Sequence, residues 1–211
     1  FSFKVLGVEG ESALWHGPAT SQDFTLITHE KFAFRHSDEF VSFVVAAAGG
    51  GASLFKYLFK RYGVLGGLKQ VGSMASTMKK PFTGFATEAL YSCVPLACGP
   101  YAVRVRLVPS TDNGTAVPDA SHDWNADFSA RMARQALSWD VQLQPYVNDT
   151  ITPIEDASVN WTSPYVTVAR LHIPVQQSDS PEGQALAKRV EDAVSDPWQA
   201  LAAHRPLGDV Q

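Results

Sequence analysis

The chain has 211 residues, 45% of them apolar and 18% charged, an ordinary globular mixture that excludes long disorder, collagen-like repeats and a disulfide-dense miniprotein. Its charges sum to −4 but are unevenly spread: residues 1–105 carry 10 Lys/Arg against 7 Asp/Glu, and residues 106–211 carry 7 against 14. Neither half offers the dense basic stripe of a nucleic-acid footprint, and no apolar run reaches the roughly 18 residues of a membrane span.

In chain order, residues 1–8 read as a half-buried strand with Phe1, Phe3 and Val5 on one face. A polar loop follows, and residues 23–28 and 31–35 are short strand candidates. Ser37 reads as the cap of a helix whose first turn carries Asp38 and Glu39, and whose apolar face is Phe40, Phe43, Val44 and Ala47. Gly49, Gly50 and Gly51 end it. A second helix over 53–61 carries Leu54, Phe55, Leu58 and Phe59, and the Gly-broken stretch 64–77 has no firm pattern.

From Thr87 the texture becomes that of a sheet. Residues 90–94 and 101–108 read as strands around a Cys98-Gly99-Pro100 turn, and Val103, Val105 and Leu107 alternate with Arg104 and Arg106 as in a sheet with one wet face. Asn113, Gly114 and Pro118 mark a loop, and Asp123 caps a helix over 124–137. Residues 138–147 form a strand, 148–164 an irregular segment, and 165–175 a strand dense enough in β-branched residues to be a central one. Ser180 and Pro181 open a last helix, with Ala185, Leu186, Val190 and Val194 facing inward. The pattern is α+β, antiparallel strands with helices in runs.

The chain carries no nucleophile-elbow, zinc-protease or dinucleotide motif. The three glycines at 49–51 lack the Lys-Ser/Thr pair of a phosphate loop and read as helix punctuation. His29 and His36 bracket a strand at an odd offset and so face opposite ways, which argues against a shared metal; His172 should point away from Leu171 and Ile173. Glu155 and Asp156 are adjacent in a loop and read as solvated. Cys93, in an apolar strand with no His or cation nearby in sequence, reads as a structural thiol, and two thiols in all suggest a reducing compartment.

Beyond these patterns, the runs ITPIEDASVNW (151–161) and SPYVTVARLHIP (163–174), followed by VEDAVSDPW (190–198) and HRPLGDV (204–210), resemble in order the late barrel region of the haem catalase superfamily. They look most like its smaller branch of catalase-related peroxidases and allene oxide synthases. QDFTLITH (22–29) and KFAFRHSDEF (31–40) resemble that family's strand-to-helix passage beside the haem. FSFK (1–4), YSCVP (91–95) and YAVRVR (101–106) resemble its strands.

The resemblance implies one catalase-like domain over 1–211: an antiparallel β-barrel with peripheral helices and haem beside it. It implies haem-dependent processing of hydrogen peroxide or a fatty hydroperoxide, with self-association left open. The rival expectation is a non-catalytic catalase-fold binding or assembly module without haem. In the family a tyrosine holds the iron, a distal histidine works on peroxide and a distal asparagine orients it. Here Thr28 stands at the asparagine position, Phe32 at a pocket-lining aromatic and Phe40 at an aromatic packed by the haem. The segments that carry the distal histidine and the axial tyrosine would lie before Phe1 and after Gln211. The chain is therefore read as the central portion of a longer protein, cut at both ends.

Overall fold

The computed structural model describes residues 1–78, 81–117 and 122–208, with side chains omitted for 73–78. The loop expected at Pro118 falls partly outside that set. Strand β1 (Ser2–Leu6) pairs antiparallel with β2 (Ser21–Thr25). Helices α1 (Ser37–Ala48) and α2 (Gly51–Met78) follow and pack on each other. The second sheet contains β3 (Leu90–Tyr91), β4 (Leu96–Cys98), β5 (Tyr101–Pro109), β6 (Leu137–Pro145) and β7 (Val166–Ile173). Its order is β3-β5-β6-β7, with β4 also on β5, and every pairing is antiparallel. Helix α3 (Trp124–Arg134) precedes β6, and α4 (Pro181–Glu191) follows β7.

The two sheets are stitched together where Ile27 and Tyr91 exchange backbone hydrogen bonds, just past the Leu26 amide's bond to the Phe1 carbonyl that ends the β1–β2 ladder. Among the described strands no pairing joins β7 to β1.

The core lies on one face of the larger sheet. Leu90, Leu107, Leu137 and Trp139 are fully buried there with Leu26 and Ala86, and Phe1, Phe3, Phe128 and Leu171 pack around them. The odd-numbered residues of β5 supply this face, as their alternation predicts. Each large side chain so enclosed contributes about 1.5–3 kcal/mol of hydrophobic stabilisation.

The opposite face is wet at the Asp140–Arg170 pair but covered around Arg104. Arg104 is only 1% exposed. Its Nη1 donates to the Val159 carbonyl at 2.9 Å, and its guanidinium lies 4.7 Å from the Trp161 ring centroid. Gln144, its register partner on β6, donates from Nε2 to the carbonyls of Trp161 and Ser163. Residues 148–164 are irregular, as expected, but two buried polar side chains strap them across this face. A segment without its own ladder needs such partners for its carbonyls.

Other expectations are corrected by position. Among the described strands β7 is an edge, not central, and Val168 is 55% exposed. Its β-branched residues suit a pleated surface but do not say how many neighbours a strand has. Leu186, Val190 and Val194 point outward, and no residue of α4 is buried. Residues 31–35 form bends rather than a strand. Ser37 is the first helical residue of α1, whose N-cap is His36 with no side-chain cap bond. Along α1 only Ala46 is buried; Phe40 and Phe43 meet Phe34, while Val44 and Ala47 are exposed. The Gly-broken stretch after 63 is helical: α2 bends at Gly63, with φ 70° and ψ 179°, and then continues. Asp123 caps α3 as predicted, accepting from the Ala126 amide.

Candidate functional site

A cavity of about 250 Å³ opens between the chain leaving β2 and the turn between β3 and β4. Ile27, Phe32 and Phe40 form one wall, and Cys93, Val94 and Leu96 the other. The aromatic wall is built by the passage into α1. Phe32 and Phe40 meet edge to face at 5.1 Å between ring centroids, and Phe34, buried behind them, touches both. The main chain here is fixed by the Phe32 amide, which donates to the Ala157 carbonyl. The sequence-predicted Phe32 and Phe40 therefore share this cavity. Thr28 is not among its lining residues; its hydroxyl lies 3.3 Å from Nδ1 of His29.

The opposite wall turns on Cys93. Its backbone lies in the left-handed region at φ 61°, which a non-glycine residue rarely adopts. That turn aims the thiol at the His29 carbonyl, to which it donates at 2.9 Å. Burial pushes the thiol up to about 12, and Arg104 nearby only partly offsets this. Cys93 is thus a protonated thiol at neutral pH, not a nucleophile or a metal-binding thiolate. The expectation that no cation lies near it is corrected: Arg104, eleven positions on, is brought beside it by the β3–β5 pairing.

A polar cluster adjoins the cavity. Tyr165 donates from its hydroxyl to Glu30 Oε1 at 3.2 Å, and the Arg106 guanidinium stacks 3.5 Å over the Tyr165 ring. Arg106 also donates from Nε to Gln142 Oε1 at 3.0 Å. Burial and the neighbouring Glu30 raise the Tyr165 phenol well above its ordinary value, and Arg106 does not reverse that. Burial also lowers Arg104 from its ordinary value. Nε and Nη2 of Arg104 make no hydrogen bond within the protein. Sequence reading missed this cluster, because Glu30, Arg106 and Tyr165 are far apart in the chain; only the unusual pair of arginines at alternate positions of one strand marked the place. No group of three or more His, Cys, Asp or Glu able to hold a metal occurs among the described residues.

The chain superposes on a fungal catalase with a TM-score of 0.66 at 14% identity, covering 99% of this chain and 48% of that one. It superposes on catalase A from Saccharomyces cerevisiae with a TM-score of 0.62 at 14% identity, covering 97% and 48%. A bacterial catalase gives 0.51 at 13% identity, covering 97% and 52%. The chain has a catalase-like fold and spans about half the length of these catalases. No family model and no curated protein matches it.

Proposed function

We propose that this chain forms the barrel and the distal wall of a haem-dependent, catalase-related protein that processes peroxide or organic hydroperoxide. The observation that carries the reading is the cavity walled by Phe32 and Phe40 at the place where the sequence resembles the haem-side passage of catalases. The catalase-like fold over nearly the whole chain supports it. In this reading residues 1–211 are one domain, the barrel is closed in the intact protein, and the smaller peroxidase-like branch is the nearer relation.

The residues present fit one wall of a haem site and not its iron centre. The flat aromatic and aliphatic surface of Ile27, Phe32 and Phe40 suits a macrocycle. A phenolate ligand needs a lowered phenol, whereas Tyr62 is pushed up to about 12 by burial and Glu39, and Tyr57 and Tyr165 are raised as well. No tyrosine lines the cavity. The work assigned to this chain is accordingly to exclude water and orient. Phe32 and Phe40 supply the apolar side of the cavity, and Thr28, just outside its lining, stands where the sequence resemblance puts the asparagine of catalases. One hydroxyl offers a single donor where an amide offers two donors and a carbonyl. Thr28 therefore orients peroxide less tightly, which favours peroxidase or organic hydroperoxide turnover over dismutation.

The test is an absorption spectrum of the full-length protein, followed by oxygen evolution and peroxidase rates. A Soret band weakened by Phe40→Ala, with Thr28→Asn raising oxygen evolution, is the expected result. A full-length protein without a Soret band would replace this reading by that of a haem-free binding module. Fast oxygen evolution that neither variant alters would remove Thr28 and Phe40 from the site.

A further inference from the structure

The hairpin of α1 and α2 presents a surface that the cavity does not use. Val41, Val44 and Val45 lie at i, i+3 and i+4 on one face of α1. Beyond the bend at Gly63, Val64, Leu65 and Leu68 stand at i, i+1 and i+4 on α2, which places them within about 100° of one another around the helix. All six are between 46 and 85% exposed. Surface valines and leucines are ordinary when scattered, but a gathering on two packed helices marks an interaction face.

The charge around this face is one-sided. Residues 40–87 contain six Lys/Arg and no Asp or Glu, although the chain as a whole is −4. Lys56, Lys60, Arg61 and Lys69 are exposed on the same helix as Leu65 and Leu68. At the edge of the hairpin, in the first turn of α1, lie Asp38 and Glu39, and Glu39 Oε1 is taken up by the Tyr62 hydroxyl.

We propose that the α1–α2 hairpin docks this protein on anionic lipid surfaces. The valines and leucines would enter the boundary between headgroups and acyl chains, and Lys56, Lys60, Arg61 and Lys69 would meet the lipid anions. No described helix is long and apolar enough to cross a membrane, and the proposed contact is peripheral. Charge decides against a second copy as the occupant: a two-fold contact through this face would set lysines against lysines.

The experiment is co-sedimentation of the full-length protein with vesicles of phosphatidylcholine alone and of phosphatidylcholine mixed with phosphatidylserine. Binding is expected to the mixed vesicles only and to weaken in high salt. Lys56→Gln with Lys60→Gln should weaken it roughly 25-fold, at about fivefold for each charge near the surface. Leu65→Gln with Leu68→Gln should abolish it while the circular dichroism and melting temperature stay unchanged, since both side chains are exposed. Failure to bind either vesicle, or binding that neither pair of substitutions alters, would overturn the proposal. So would a dimer in solution that the leucine substitutions dissociate without any vesicle binding. Sedimentation reads no catalytic activity, so its outcome is independent of the haem reading.

Discussion

Asn113 sits buried at the 3-10 turn Thr111–Asn113 and serves three backbone groups at once. Its Nδ2 donates to the carbonyls of Ala86 and Ser138, and its Oδ1 accepts from the Ser138 amide. Asn113→Ala would leave these groups enclosed and unpaired, so a loss of about 2–4 kcal/mol is expected in a urea titration. Asn113→Asp should do no better, because a carboxylate cannot donate to two carbonyls. Cys93 makes a prediction of a different kind. Its thiol is raised from the ordinary 9.0 to about 12 by burial, so the fold favours the protonated form. The stabilisation is complete below pH 9 and is lost as pH climbs toward 12. Cys93→Ala should therefore flatten the alkaline fall in melting temperature over that window. At neutral pH the half-buried Cys98 should be alkylated well before Cys93, as mass spectrometry would record.

At the scale of elements, the placement of β7 sets the tolerance of its side chains. Val168→Asp would put a charge on an exposed edge and should shift the melting temperature by only a few degrees. Leu107→Ala, in the fully buried centre of β5, should cost about 2–5 kcal/mol. Gly63 bends α2 in a conformation nearly reserved for glycine, so Gly63→Ala should cost about 1–3 kcal/mol and reduce helicity. Much of this architecture is legible in the sequence, because alternation in β5 and β6 and the Asp123 cap of α3 are local signals. Which strand lies at an edge is not local: β7 has the composition of a central strand, and only pairing decides its place. The same holds for Arg104. Its alternation with valines gives the correct face, yet nothing nearby in sequence announces that residues 148–164 will cover it. Of the candidate site, the aromatic wall is readable because Phe32, Phe34 and Phe40 lie within nine residues of one another. The opposite wall is not, since Cys93 arrives there through a left-handed turn and a strand pairing.

Across the whole molecule, the early and late parts of the chain clasp each other. Asp23 accepts from the Lys4 ammonium at 2.5 Å and from the Asp196 amide at 3.1 Å, and it is almost wholly buried. Its own amide donates to the Gln199 carbonyl, and Gln22 Oε1 accepts from the Leu201 amide. Asp23→Ala would leave a lysine and an amide without their acceptor. It should lower stability by about 3–5 kcal/mol, measurable by thermal unfolding. This clasp also bears on time. The groups it joins lie 173 and 179 positions apart, so β1 and β2, paired with each other, leave the ribosome before the late segment that clasps them. At about 5–20 residues per second, roughly 10–40 s pass before residues 196–201 exist at all. For that interval the buried Gln22 and Asp23 lack the late backbone groups that satisfy them, so the seam between the early and late segments is among the last parts of the fold to form.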